Sequence, residues 1–432
     1  MRESRSSSKF VFQKADLVGA SEALITNLFK LIMKDASKPE KLAENEFLMK
    51  SIYKICSIAQ DTLGDFSLEI IKQSLAILDL IKANPSNPRF THYTFESVAV
   101  NIKTQVLIDK ANIDKVIEVV MPSILNYLAD DVTEFLQYSF QLLAYLTESF
   151  TKEMTLSEQI SQLSQPLLTP TVWEMAGNIP ATTRFLVAIL NKQPQLFSNI
   201  EQILGLTQKL LNSKKLFGHA FEILEALIIN CDTNLMSSYL TSILSMILAR
   251  LQRKDITFIK RFILFVAQLI LGKSNEPDFV VNWFDMLQQS TVFPGVFNNI
   301  VLSNIEQFNN LLEKKVVYIG LLTFGLNSNL LLERYPEIAR SLIQNSVDLI
   351  KKQTQGLNTS GAAGTFIDMD MVEEISTFGS SYSKLISISK NPINDPIPYV
   401  SMDQNSNNLG QFVQQELLQP KLTLLNALNI VM

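Results

Sequence analysis

The chain has 432 residues, 47% of them hydrophobic and 18% charged, and a formal net charge of −5. This length can bury a large core but exceeds one compact domain, and the acidic balance without blocks of basic residues argues against nucleic-acid binding. With only 14 Gly and 15 Pro, the composition favours an extended all-helical protein over a turn-rich β protein.

Neither the first residues nor the apolar runs indicate a secretory or membrane protein. Residues 1–9 are polar and lack the apolar core of a signal peptide. The longest apolar run, 262–271, is interrupted by Gln268 and has about half the length needed to span a bilayer. Cys56 and Cys231 lie far apart in apolar surroundings, as buried free thiols do in a reducing compartment. We therefore expect an intracellular protein without membrane insertion.

Helical periodicity begins near the amino terminus and continues through most of the chain. Asp16 is predicted to cap the first helix and Asp131 to cap a later one, and Ser37-Lys38-Pro39 interrupts the pattern. The predicted helices that follow are 44–62 with 66–82, 90–108 with 113–128, pairs beginning at Asp131, Asn178, near Lys215 and at Asp255, and the stretches 316–324 and 338–350.

Successive helix pairs begin about 36–47 residues apart, which is the spacing of HEAT repeats that bury their apolar faces by stacking. No segment shows the alternation of a strand. The predicted fold class is all-α, a right-handed α–α superhelix of HEAT/ARM-like repeats. The predicted organisation is a polar segment 1–15, a repeat array 16–353, an irregular repeat with mobile loops 354–408 and a capping helix 409–432.

The junction at residues 167–186 is predicted to join two helices through a short hinge. Gly177 can adopt the left-handed conformation that closes a helix, and Asn178 is a favourable N-cap. Pro180 falls in the first turn, where its missing N–H costs nothing. Trp173 is expected to pack at this junction.

The sequence contains no recognisable catalytic or metal-binding motif. His92 and His219 lie in separate helical units, and zinc-ligand spacings are absent. His92 is expected to pack or to cap near Pro88. Gly272-Lys273-Ser274 lacks the earlier glycine and the strand of a phosphate-binding loop. We therefore predict a protein that is not an enzyme and has no catalytic, metal-binding or cofactor-binding residues.

Two charge clusters are candidate partner-binding sites. The basic cluster straddles a helix-to-helix turn and could form a ridge for an acidic partner, or simply be a solvated turn with favourable charges at a helix end. The acidic cluster could contact a basic partner or stabilise a helix amino terminus. The basic residues are Arg250, Arg253, Lys254, Lys260 and Arg261, and the acidic residues are Asp368, Asp370, Glu373 and Glu374.

Several segments resemble, in the same order, the carboxy-terminal half of the exportin-2 (CAS) family of karyopherin-β exportins. The most specific is Trp173-Glu174-x-x-Gly177-Asn178-Ile179-Pro180-Ala181. The resemblance covers roughly residues 24–370. The other segments are 44–50, 84–96, 131–141, 250–252 with 258–260, and 366–368.

The resemblance implies a HEAT-repeat nuclear export receptor that binds importin-α with Ran-GTP and returns importin-α from the nucleus to the cytoplasm. It further implies contacts with nucleoporin repeats and shuttling through the nuclear pore. The family's amino-terminal repeats, which hold much of the Ran contact, have no counterpart in this sequence, so we expect a fragment of the receptor. The alternative that periodicity leaves open is a HEAT-repeat scaffold subunit of a multiprotein complex.

Overall fold

The computed structural model describes residues 13–151, 154–197, 199–355, 382–402 and 408–430. The described residues fall into two compact units. The first contains those within 1–196 and 369–390, and the second contains those within 197–368 and 391–432. Residues 356–381, which include the four acidic candidate residues, lie outside the described part of the chain.

The first unit is helical. Its long helix α6 begins where Pro88 occupies the first turn and the Asn87 side chain accepts hydrogen bonds from the next two backbone amides, as an N-cap does. Its helices are α1 (Lys14–Leu17), α2 (Ser21–Met33), α3 (Pro39–Ala43), α4 (Glu46–Ala59), α5 (Phe66–Ile81), α6 (Pro88–Ile108), α7 (Ile113–Ala129), α8 (Thr133–Ser149), α9 (Glu158–Gln162) and α10 (Ile179–Lys192).

The second unit is helical as well. A helix begins at Asp255, as predicted, and Asp255 caps this helix, α14, by accepting hydrogen bonds from the amides of Thr257 and Phe258. The helices of this unit are α11 (Ile200–Asn212), α12 (Phe217–Asn230), α13 (Thr233–Leu251), α14 (Ile256–Gly272), α15 (Phe279–Asp285), α16 (Val292–Val296), α17 (Leu311–Asn327), α18 (Asn329–Arg334), α19 (Pro336–Gln355), α20 (Leu409–Phe412) and α21 (Leu422–Ala427).

Each long helix packs on helices close to it along the chain, which is the contact pattern of a repeat array. In the first unit α4 and α5 both pack on α6, α7 packs on α8, and α8 packs on α10. In the second unit α12 packs on α14, α14 on α17, and α17 on α19. Within the described residues no strand forms, and the β-structure is one isolated bridge between Ser401 and Asn408. The prediction of an all-α helical-repeat fold is confirmed.

Two predicted helix caps are wrong. Asp16 lies inside α1, where its carboxylate accepts the Gln13 amide at 2.8 Å, and the periodic helix α2 begins only after Gly19 turns the chain with φ +77°. Asp131 has φ +48°, and the next amide, that of Val132, returns to the Tyr127 carbonyl at 3.0 Å. Asp131 therefore closes α7 in the left-handed conformation that aspartate tolerates and does not start α8.

The junction before α10 differs from the prediction in two respects. Gly177 is not among the left-handed residues, because two 3₁₀ turns and a further turn, rather than a helix, precede it. Asn178 occupies the N-cap position but makes no side-chain capping bond. Pro180 does fall in the first turn of α10, and Trp173 is buried, with its Nε1 donating to the Leu167 carbonyl at 2.8 Å.

The predicted helix 409–432 is interrupted in the structure. A π-helical stretch, Val413–Leu418, and a 3₁₀ turn, Gln419–Lys421, separate α20 from α21. Pro420 lies in that 3₁₀ turn, and its missing N–H prevents a continuous α-helical hydrogen-bond ladder. None of the described helices combines the length and the apolar character that crossing a bilayer requires.

Candidate partner-binding surface

The basic cluster lies at the turn between α13 and α14, and its first residue is buried in that turn. The Arg250 side chain is only 4% exposed, and its Nη2 lies 3.8 Å from Asp255 Oδ2. Its guanidinium also stands 5.3 Å from the ring centroid of Phe258, within the range of a cation–π contact. Arg250 therefore holds the turn together from inside.

Two further residues of the cluster are also engaged within the protein. Arg261 Nη1 lies 2.7 Å from Glu225 Oε1 on α12, and the guanidinium covers the Phe221 ring at 5.1 Å. Burial raises the pKa of Glu225, and the charge and hydrogen bond of Arg261 oppose that rise. Lys260 Nζ lies 5.5 Å from the centroid of the Phe308 ring. These contacts position α14 against its neighbours.

Arg253 and Lys254 are the two residues of the basic cluster whose side chains are exposed. The backbone of Lys254 is left-handed, with φ +54°, and its amide closes the turn on the Leu251 carbonyl at 3.0 Å. The turn thus presents two adjacent cations to solvent. The predicted acidic residues, Asp368, Asp370, Glu373 and Glu374, lie outside the described residues.

The structure also shows a polar site that sequence reasoning missed. Residues 382–390, which we call the docked segment, lie against α6 and α8 of the first unit. Gln137 Oε1 accepts the Ser383 amide at 2.8 Å. Gln141 Oε1 accepts the Leu385 amide at 2.7 Å, and its Nε2 donates to the Ser383 carbonyl at 2.9 Å. The two glutamines of α8 therefore bind the backbone of the docked segment directly.

Glu96 of α6 binds the next part of the docked segment. Its carboxylate is 1% exposed and accepts the amides of Ile386 and Ser387 and the Ser387 hydroxyl, the last at 2.7 Å. Burial raises the pKa of Glu96 to about 7, although these hydrogen bonds act to lower it. His92, one turn earlier, is buried against the Tyr138 ring, and burial lowers its pKa to about 3. His92 thus packs in the core, as predicted.

A second buried charge anchors irregular chain in the second unit. The Lys315 side chain on α17 is 5% exposed, and its Nζ lies 2.8 Å from Asp395 Oδ1. The same Nζ donates to the carbonyls of Ile397 and Val400, both at 2.6 Å. This ammonium therefore donates hydrogen bonds to three acceptors within residues 391–402.

The missed residues carried unequal sequence signals. Gln137 and Gln141 are polar residues one turn apart on a strongly apolar helix, and this pattern could have been read as a recognition stripe. Glu96 had no such signal, because its partner Ile386 lies 290 positions further along the chain. Lys315 is likewise bound by residues about eighty positions away.

The described residues contain neither an assembled metal site nor an activated thiol. Within the described residues no cluster of three or more His, Cys, Asp and Glu side chains is placed to hold a metal ion. Cys56 and Cys231 are free and buried, and burial raises the thiol pKa to about 12 for Cys56 and about 11 for Cys231. Neither thiol is therefore an activated nucleophile.

Comparison with known proteins gives consistent matches. The family described as "CAS/CSE protein, C-terminus" matches residues 1–421. The Saccharomyces cerevisiae protein named "Importin alpha re-exporter" is 35% identical over 405 residues, which cover 93% of this chain and 41% of that protein. The human protein named "Exportin-2" is 29% identical over 317 residues, covering 72% of this chain and 32% of that protein.

A solved structure agrees with these sequence matches. The structure titled "The exportin Cse1 in its cargo-free, cytoplasmic state" superposes with a TM-score of 0.82 at 30% identity, covering 97% of this chain and 42% of that one. The fold therefore defines the chain as an exportin-type helical-repeat solenoid. Its sequence places it more narrowly: the chain belongs to the CAS/CSE family, and it spans about two fifths of the length of the yeast relative.

Proposed function

We propose that the chain supplies carboxy-terminal repeats of a nuclear export receptor that binds importin-α with Ran-GTP and returns importin-α from the nucleus to the cytoplasm. The observation that supports this most strongly is the similarity over 93% of the chain to the yeast protein named "Importin alpha re-exporter". The match to the family's carboxy-terminal region supports the same assignment. On this proposal the chain acts by binding, not by catalysis, and shuttles between nucleus and cytoplasm in contact with nucleoporin repeats.

A helical-repeat array suits this task for physical reasons. Each repeat contacts mainly its neighbours, so small adjustments per repeat accumulate into a large change in the binding surface. Two partners that prefer the same state of the array assist each other's binding by the same factor. Ran-GTP would therefore strengthen importin-α binding, and loss of the GTP form would weaken it.

Within this function we assign the exposed turn residues Arg253 and Lys254 to contact with an acidic partner surface. Arg250 supports that turn through its contacts with Asp255 and Phe258, whereas Lys260 and Arg261 hold α14 against neighbouring parts of the chain. The acidic residues remain proposed contacts for a basic partner surface; they are Asp368, Asp370, Glu373 and Glu374.

The proposal is tested by measuring binding of the purified chain to importin-α, with and without Ran locked in its GTP form. Binding that Ran-GTP strengthens supports the coupled receptor. Binding without Ran dependence indicates that this chain carries the importin-α surface and that the coupling needs other repeats. No binding by a sample that circular dichroism shows to be folded and helical contradicts the proposal for this chain.

The assignment of the exposed turn is tested in the same assay. Charge reversal of Arg253 and Lys254 to Glu is expected to slow association roughly tenfold at low salt, and less at high salt, because exposed charges act mainly through steering. Charge reversal of Lys214 and Lys215 is the matched control, because they form an adjacent exposed basic pair in the turn before α12. Equal effects of the two double substitutions contradict the assignment.

A further inference from the structure

We propose that an open cleft between α4 and α6 of the first unit binds the carboxyl terminus of a peptide chain whose last residue is aliphatic. Lys103 binds the terminal carboxylate, and Val100 and Leu107 contact the last side chain. The site is separate from the basic turn between α13 and α14, and it does not depend on which cargo the chain transports.

The size of the cleft suits the end of a chain. Its volume is about 540 Å³, which is the size of pockets that enclose a small ligand. Its α6 wall covers seven positions, or about 10 Å of helix at 1.5 Å per residue, which is too short to seat a partner helix of similar width. The lining residues that matter here are Ser57, Gln60, Val100, Lys103, Thr104 and Leu107.

Lys103 gives the cleft a positive charge that can take a carboxylate. Its side chain is exposed, and its Nζ donates to the Ser387 carbonyl at 3.0 Å, which uses one of the three N–H donors of an ammonium. Asp61, an acidic residue of the cleft wall, is paired with Lys14. Glu96, a second carboxylate that interacts with Lys103, is buried and is bound by the docked segment. A carboxylate is therefore the ligand charge that fits.

An apolar wall lies beside this charge. Leu107 is one turn beyond Lys103 on α6, which places their Cβ atoms about 5–6 Å apart. The Leu107 side chain is 72% exposed, whereas Val100 is buried at the base of the same wall. Covering Leu107 with an aliphatic side chain removes apolar surface from water. A leucine or isoleucine at a chain end carries its carboxylate and its side chain on one residue, so it can contact both groups.

The opposite wall contains a residue in a strained backbone conformation. Gln60 has φ +48° and ψ −124°, close to the φ +49° and ψ −133° of nearby Gly64, a region that glycine adopts freely and other residues rarely do. The Gln60 Nε2 donates to the Ser57 carbonyl at 3.2 Å, so the amide is held in the wall with its oxygen free to accept a peptide N–H. A glutamine where glycine would cost less indicates a role for its side chain.

The test uses the full chain and a fluorescein-labelled pentapeptide of alanine and serine that ends in leucine, followed by anisotropy. The free-acid peptide is expected to bind with a Kd below about 1 mM. Amidation of its terminus should weaken binding at least about tenfold, because the charged hydrogen bond to Lys103 is lost. No binding of the free-acid peptide at 1 mM by a chain that circular dichroism shows to be folded overturns the proposal. Equal affinity for N-acetylleucine overturns the assignment to a chain end.

Substitutions on the two helices locate the site. Lys103→Met is expected to weaken probe binding at least about tenfold, whereas Lys103→Arg should retain it, because the charge remains. Lys72→Met, at an exposed lysine on α5, is the matched control and should bind as the wild type. Leu107→Ala should weaken binding about threefold to tenfold, and Leu80→Ala, at an exposed leucine on α5, should not. Equal affinities of Lys103→Met and Lys72→Met overturn the proposal.

The role of Gln60 has its own readout. Gln60→Gly is expected to raise the melting temperature, because glycine relieves the strained backbone, and to weaken probe binding, because the wall loses its amide. Unchanged probe binding by this variant overturns the role of Gln60 in the site. These assays contain neither importin-α nor Ran, so their failure is distinguishable from failure of the proposed transport function.

Discussion

Replacing Glu96 with glutamine is expected to change how the stability of the first unit depends on pH. Glu96 and His92 are buried one helical turn apart, with Glu96 Oε1 3.8 Å from His92 Nε2. Burial raises the pKa of Glu96 from 4.5 to about 7 and lowers the pKa of His92 from 6.5 to about 3. Both groups are therefore held in their neutral forms near pH 5–6.

Between pH 4.5 and 6.5 the two groups act on stability in opposite directions. As pH rises, Glu96 loses its proton in the unfolded chain but keeps it in the folded protein, so the folded state loses stability. His92 is protonated in the unfolded chain but neutral in the folded protein, so stability rises with pH. Each group contributes about 1.4 kcal/mol per pH unit, and the two slopes cancel in this window.

Glu96→Gln removes one of these slopes and leaves the other. Between pH 4.5 and 6.5 the free energy of unfolding of the variant should rise by about 3 kcal/mol more than that of the wild type, because only the His92 slope remains. Glutamine offers only one acceptor oxygen to the docked segment, so the substitution also lowers stability, but by an amount that does not depend on pH. The slope of stability against pH is therefore the informative quantity.

The assay is urea unfolding followed by far-UV circular dichroism at several pH values between 4.5 and 6.5. Glu69→Gln, which neutralises an exposed carboxylate on α5, is the matched control and should keep the wild-type profile. His92→Phe should produce the mirror result, with stability falling as pH rises. Parallel profiles for the wild type and Glu96→Gln would mean that folding does not raise the pKa of Glu96.

Three further substitutions probe buried contacts of the second unit through thermal or urea unfolding. Lys315→Met is expected to lower the free energy of unfolding by about 3–5 kcal/mol, because a carboxylate and two carbonyls lose the ammonium donor. Lys314→Met, at the neighbouring position, should lower it much less. Gly320→Ala should cost about 1–3 kcal/mol, since its Cβ would stand 2.9 Å from an α14 carbonyl oxygen. Gly218→Ala, which meets nothing within 4 Å, should be neutral or stabilising. Arg261→Met should cost about 3–5 kcal/mol, because the α12 carboxylate loses its partner.

A specific result would contradict each of these predictions. Equal losses for the two lysine substitutions would mean that the buried ammonium does not anchor residues 391–402. A neutral Gly320→Ala would mean that α14 and α17 do not require their close backbone approach. An Arg261→Met variant as stable as the wild type would mean that this arginine is free to serve as a surface contact.

The helices could be predicted from the sequence because local information determines them. The start of α14 is one example: a helix was predicted to begin at Asp255, and α14 begins there, with Asp255 as its cap. The turns were harder to predict, since Asp131 can either cap a following helix or close a preceding one. The sequence pattern does not distinguish these roles, and only the positive φ of the folded chain does.

The sequence predicted the candidate site only where the residues involved are neighbours along the chain. Arg253 and Lys254 lie in one turn, and their exposure follows from that turn. The ion pair of Arg261 depends on Glu225 of α12, and Glu96 depends on residues 382–390, which lie almost three hundred positions further along the sequence. These partners are brought together only by the tertiary fold. The sequence alone therefore could not show which charged residues face solvent and which are paired inside the protein.

The most direct test of the transport function replaces the matching carboxy-terminal region of the yeast importin alpha re-exporter with this chain in cells depleted of the native protein. The measured quantity is the ratio of nuclear to cytoplasmic importin-α. The chimaera is expected to restore importin-α to the cytoplasm, whereas a protein lacking the region should leave it in the nucleus. Nuclear retention of importin-α despite a stably expressed, folded chimaera would contradict the proposed function.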